Sequence, residues 1–265
     1  MKRNPFSYLK FALGLLLTVA LPSCLQNETT VTVNKDGSGT IVEETYLTAA
    51  MLDMSAQFAE PGAPDPIAEM FSEEKSKAKA AKLGEGVEFV KMEMIEKEGM
   101  KGARTHYKFA DISKISISPG SAMESLGDNA PKPDNEEEET LKFEFADGEL
   151  TVNIPPTDFE EMAMDGAEDG QNPQMAEMMK QMMADMRISI KLKASDGIKK
   201  TNASYADGDT ITLFDVEVAK MFAQKDQMKA IAETAKTDKD AAIMEFKKLD
   251  GIKIETEEKV SITLK

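Results

Sequence analysis

Residues 30–47 read TVTVNKDGSGTIVEETYL, and this stretch decides the class of fold. Thr30–Asn34 and Thr40–Leu47 alternate apolar and polar residues at a period of two, the repeat of a half-buried strand. Between them, Asp36-Gly37-Ser38-Gly39 supplies glycine where a tight turn needs positive φ. The stretch reads as a β-hairpin. The chain beyond it repeats the pattern. Val87–Glu98 and Ala103–Ala110 form a second hairpin turning at Gly99–Gly102. On its second strand Ala103, Thr105, Tyr107 and Phe109 share one face, and Arg104, His106 and Lys108 the other. Ile112, Ile115 and Ile117 extend the sheet. Leu141, Phe143 and Phe145 pair across Asp147-Gly148 with Leu150, Val152 and Ile154. Arg187–Ala194 is a strand with Ile188, Ile190 and Leu192 on one face. Residues 198–205 and 210–214 follow around Asp207-Gly208, and strands over 252–258 and 260–265 close the chain.

Helical spacing appears between these strands. Thr48 caps a helix over Ala49–Ala59, and a second runs over about Ile67–Leu83. Asn172 at the cap and Pro173 at the first position start a third. It carries Met175, Met178, Met179, Met182, Met183 and Met186, an i, i+3, i+4, i+7, i+8, i+11 stripe. Further helices lie near 217–235 and 238–249, the latter with Thr237 as cap and Gly251 as stop. The fold expected is α+β: antiparallel hairpins forming one or two sheets, with helices packed on one side. By organisation, residues 1–23 are a signal segment and 24–118 a first β-hairpin and helix subdomain. Residues 119–139 are an acidic loop, and 140–265 a second β-rich subdomain with the Met-rich and C-terminal helices. There are no fixed-period repeats.

The N-terminus gives an address. Lys2, Arg3 and Lys10 precede an apolar run, Phe11–Leu21, too short for the roughly 20 residues of a spanning helix. Leu21-Pro22-Ser23-Cys24 then resembles the bacterial lipobox, although Pro22 is not a usual residue of that box. The resemblance implies that the Cys24 thiol takes a diacylglycerol, that the signal is cleaved before it, and that acyl chains such as palmitate hold the protein on a bilayer. The alternatives are a plain cleaved signal and an uncleaved anchor. Leu25 after the cysteine would permit transfer to the outer membrane in a Gram-negative cell. Gln26–Thr29 reads as a short polar leash.

Composition narrows the rest. The formal charge is −16, and cleavage would remove three cations and no acid. Such a surface repels nucleic acid and anionic headgroups, so a nucleic-acid role is excluded. Cys24 is the only cysteine. Once it is acylated, no disulfide, cysteine nucleophile or thiolate metal site can form.

The order of motifs also looks familiar. It runs from the lipobox to TVTVNKDGSGTIVEE (30–44), then KLGEGVEFVKME (82–93) with GARTHYKFADI (102–112), then MRISIKLKASDGIKKTNASYADGDTITLF (186–214). This resembles bacterial envelope lipoproteins of the LppM type, which place a β-rich domain after a lipidated cysteine. The later family element reads here as Asp196-Gly197-Ile198-Lys199, Thr201-Asn202 and Gly208. The family usually ends in a transmembrane helix or other tail, whereas this chain ends in helices and strands. The resemblance implies a fold and an envelope location. It brings no activity and no catalytic residues.

Candidate sites are few. Asn34–Gly39 approaches a calcium loop, but Thr32 stands where the loop's first acid should be and Gly39 where an apolar residue should stand two after the glycine, so a turn explains it. Residues 134–139 and 158–169 are acidic runs that read as solvated loops. His106, the only histidine, has no nucleophile signature beside it in sequence. Asn27-Glu28-Thr29 and Asn202-Ala203-Ser204 match glycosylation sequons, which mean little in a bacterial lipoprotein. The methionine stripe has three readings. It packs as core; it lines an adaptable groove for lipid-like ligands or a protein partner, since Met is flexible and polarizable; or it holds copper(I), which thioethers favour. The function expected is non-catalytic, with no cofactor and no resident metal. A lipid-tethered envelope domain would bind an apolar ligand or a protein partner through a Met-lined groove. The alternative is a purely structural or interaction lipoprotein, and more distant ones are a copper protein and an envelope hydrolase.

Overall fold

A computed structural model describes residues 25–47, 66–120, 140–159 and 186–265. Within them the fold is α+β, with two sheets and helices against one face of the larger. The first hairpin forms as read, with β1 at Leu25–Val33 and β2 at Gly39–Leu47. In its turn Gly37 has φ 81°. A side chain there would collide with the Phe145 ring, which lies over the turn. Strands β3 (Glu88–Lys97) and β4 (Met100–Phe109) make the second hairpin. Its turn is tighter than expected. Glu98 and Gly99 both have positive φ, 53° and 81°, which suits a two-residue loop that follows the strand twist. Gly102 lies inside β4, where a Cβ would overlap the backbone carbonyl of Thr45.

Strand β5 (Ser116–Ile117) pairs with β6 (Leu141–Ala146), and β6 turns through Asp147-Gly148 into β7 (Glu149–Asn153). Ile112 and Ile115 are buried as expected, but Ile112–Lys114 forms a 3₁₀ turn. Strand β8 spans Met186–Ala194. Residues 198–205 do not pair with 210–214 as one hairpin. Within them only Ile198–Thr201 is a strand, β9; a separate β10 (Ala206–Asp207) follows, and it is β10 that pairs with β11 (Thr210–Glu217). Likewise β12 (Ile252–Ile254) and β13 (Lys259–Leu264) belong to different sheets.

The larger sheet has the order β10-β11-β8-β1-β2-β4-β3, with β12 also on β11, and the smaller has the order β5-β6-β7-β13-β9. Pairing is antiparallel except between β1 and β8, which run parallel from Leu25↔Met186 to Val33↔Ala194. Both sheets therefore draw strands from 25–117 and from 141–264, so the two sequence segments interleave. Gln26–Thr29, expected as a leash, is part of β1 and is bonded on both sides, to β2 and β8.

The helix expected over 67–83 is two helices, α1 (Pro66–Met70) and α2 (Glu73–Leu83). The break has a local cause: the Ser72 side chain accepts from the Lys75 N–H, capping α2, with Glu73 and Glu74 in its first turn. Helices α3 (Val218–Ala223), α4 (Lys225–Ala235) and α5 (Lys239–Phe246) follow β11. Asp238, rather than Thr237, caps α5 through the Ala241 N–H at 3.0 Å. The helix expected over 49–59 lies outside the described residues.

Two apolar clusters sit on one face of the larger sheet. The first joins Val31, Ile41, Tyr107, Leu192 and Ile211 to the smaller sheet and to Ala80 and Leu83 of α2. The second joins Leu25, Leu47, Met186 and Val216 to Phe246, Ile231 and Met228 on the C-terminal helices. Phe159 meets Phe246 edge to face with centroids 5.2 Å apart. Each such side chain, fully buried, contributes about 1.5–3 kcal/mol.

Candidate functional site

The structure divides the sequence-derived site residues. Cys24 and Met175, Met178, Met179, Met182 and Met183 lie outside the described residues. Met186 does not sit on a helix. It opens β8, opposite Leu25, and is 4 % exposed in the second apolar cluster. The helical spacing carried one residue too far, because Met186 equally fits the period-two face that continues through Ile188 and Ile190.

Between the two apolar clusters the same inner face carries a polar belt that the sequence reading missed. Asn27 and Thr29 of β1, Glu43 and Thr45 of β2, and Thr105 of β4 are all buried. Register places them together, with Asn27 opposite Thr45 and Glu43 opposite both Thr29 and Thr105. Asn27 donates to the Thr45 hydroxyl at 2.9 Å. The Glu43 carboxylate pairs with Lys79 of α2 at 3.0 Å, so its buried charge is compensated. Burial, and then the nearby Glu43 carboxylate, push the Tyr107 phenol well above its ordinary range. It therefore stays neutral. A buried Asn27 is also a poor acceptor for a glycan, and Asn202 is engaged in tying β9 to β13 through the Lys259 carbonyl and the Ser261 N–H.

The outer face of the sheet is a ladder of cross-strand ion pairs. Lys191 meets Glu28 at 2.7 Å, Arg104 meets Glu44 at 2.7 Å, and Arg187 grips both oxygens of Asp215 at 2.8 and 2.9 Å. His106 faces Glu93 at 3.2 Å, and Glu93 also receives Lys91 at 2.9 Å. The Lys91 hydrogen bond and charge, with a smaller part from His106, hold the Glu93 carboxyl below its usual range. His106 thus has the orienting carboxylate that sequence could not reveal, since Glu93 is brought to it by strand pairing. The ring nevertheless sits in a solvated ion-pair row rather than in a cleft. In the first turn, Asp36 accepts from the Ser38 hydroxyl at 2.6 Å and the Ser38 N–H at 3.0 Å. Those bonds lower its pKa and fix the turn.

A third polar arrangement is structural. Glu255 is fully buried where the chain leaves β12 for β13. Its carboxylate accepts from the Ser204 N–H at 2.6 Å, the Ser204 hydroxyl at 2.9 Å, the Thr256 N–H at 2.9 Å and the Glu257 N–H at 3.1 Å. Ser204 lies where the chain passes from β9 to β10. One side chain thus clips together two of the crossings between the sheets, β9 to β10 and β12 to β13. A shallow, open groove beside α2, lined by Lys77, Ala80 and residues 84–89, presents little converging polar chemistry. Among the described residues no group of three or more His, Cys, Asp or Glu side chains is placed to hold a metal ion. Nor is any described helix long and apolar enough to cross a membrane.

Comparison with known proteins adds little. No protein family matches the chain, and no curated protein does. Among solved structures, the NMR structure of the folded domain of the Mycobacterium tuberculosis LppM protein aligns over 77 % of this chain and 88 % of that one. Identity is 8 % and the TM-score 0.33, a weak likeness at the level of fold.

Proposed function

We propose that this chain is an exported, lipid-anchored protein of the bacterial cell envelope whose β-rich domain binds rather than catalyses. One observation carries the reading: the residue that directly follows the lipobox cysteine is already built into the large sheet. Leu25, the residue after Cys24, is already 2 % exposed and paired with both β2 and β8. The ligand in this reading is apolar or lipid-like, or a protein partner, taken up by a surface that includes Met175, Met178, Met179, Met182 and Met183. Met186, buried in the core, favours the alternative for its end of the stripe, in which the methionines pack internally and the domain acts as a scaffold.

Two measurements separate these. The mass of the full chain purified from a lipidating bacterial host is expected to show acylation at Cys24, and Cys24→Ser is expected to abolish both that mass and detergent-phase partitioning. Residues 25–265, which hold every described strand and helix, are then exposed to envelope lipid extract and weighed by native mass spectrometry. A lipid-sized excess that vanishes on denaturation supports the carrier reading. Its absence leaves the scaffold reading.

A further inference from the structure

We propose that the domain stands upright on the bilayer, with the Leu25 end of its large sheet pressed against the headgroups. The inference rests on lipidation of Cys24 and goes beyond it. A single Cα–Cα step of about 3.8 Å separates Cys24 from Leu25. Leu25 cannot lend slack, because it is buried and hydrogen-bonded into an interior strand of the sheet, between β2 and β8. An anchor on Cys24 therefore has no leash, and its point of attachment is the end of a rigid sheet.

Register identifies what lies at that end. Lys101 is opposite Leu47, which is itself opposite Leu25. The exposed β3–β4 turn, with Lys97 and Glu98, projects just beyond it. On the other side Arg187 and Glu217 pair one position in from the end, and α3 with Lys220 begins there. The opposite end gathers Asp36, Asp111, Asp196, Asp207 and Asp209 in its turns. The tether selects the orientation: an anchor one residue from Leu25 holds that end of the sheet nearest the bilayer and the opposite end away from it. The nine residues of β1 at about 3.3 Å each place the two ends about 30 Å apart.

The test uses the full lipidated chain on phosphatidylcholine–phosphatidylglycerol vesicles. Acylation consumes the sole native thiol, so Lys101→Cys and Lys35→Cys each give one site for a fluorophore; both side chains are exposed. Lipids with nitroxide headgroups quench at short range. Quenching is expected to be several-fold stronger at position 101 than at position 35. Equal quenching on acylated, vesicle-bound protein overturns the orientation and leaves the anchor standing, whereas no acyl mass on Cys24 overturns both. A Gly/Ser insert of twelve residues between Cys24 and Leu25 has a reach of about 20 Å and is expected to erase the difference. A difference that survives the insert overturns the short tether as its cause.

Discussion

Replacing Glu255 by alanine is expected to be among the most damaging single changes in the domain. The carboxylate accepts four hydrogen bonds at 2.6–3.1 Å from three backbone N–H groups and one hydroxyl. Bonds to a charged acceptor contribute about 1.5–3 kcal/mol each, so the gross loss is about 6–12 kcal/mol. Removing a fully buried charge also relieves a desolvation penalty of several kcal/mol. Ser204 and Glu257 are exposed residues, and water can reach part of what is left. The net loss is then about 3–5 kcal/mol, a large share of the 5–15 kcal/mol by which domains are stable. In urea unfolding of residues 25–265, with a slope of about 2–3 kcal/mol/M, the midpoint should fall by about 1–2 M. Glu255→Gln keeps the Oε1 acceptor, which serves the Ser204 hydroxyl, Thr256 and Glu257, and loses the partner of the Ser204 N–H. It should fall between parent and alanine. A midpoint for the alanine variant within about 0.3 M of the parent would refute the clip, since that is close to the error of the method. A Gln variant as damaged as Ala would show that charge, not bond geometry, carries the effect.

Two further expectations follow from particular contacts. Gly102→Ala places a methyl against the Thr45 backbone carbonyl, which cannot move without parting β2 from β4. Thermal melting should drop far more than for Gly148→Ala, where open space surrounds the new methyl and only the positive φ of 79° is strained; similar melts would contradict the close approach. Ser38→Ala removes the first of the bonds that lower the Asp36 pKa. A lowered carboxylate adds stability above its ordinary pKa and loses it as pH falls through the lowered value. In a carbon-detected NMR titration the Asp36 midpoint should therefore rise toward the ordinary range in the variant, and an unmoved midpoint would remove Ser38 as the cause.

Local chemistry was legible and crossings between sheets were not. Asp147-Gly148 announced its hairpin because a two-residue loop needs positive φ at both positions, and those residues supply it at 52° and 79°. Residues 26–29 were misread because the inward positions of β1 there are Asn27 and Thr29. Their polarity hides a strand, and only the partner Thr45 on β2 makes burial tolerable. The break between β9 and β10 has no local signal. It depends on Glu255, some fifty residues later in the chain, holding Ser204. His106 acquired Glu93 through register, and the inner polar belt arises in the same way, from three strands whose polar residues fall side by side.

The parallel pairing of β1 with β8 has a consequence for the order of assembly. During synthesis the N-terminal strand emerges first, and β2, β4 and β3 can zip onto one side of it as local hairpins. Its other edge must wait for residues 186–194, which arrive after more than half the chain has passed. Closing so long a loop is slow, because chain entropy is spent before the contacts reward it. Until then β1 is a long, unpaired edge, the state in which strands recruit the wrong neighbour. The period between emergence of β1 and arrival of β8 is where a chaperone would be needed most.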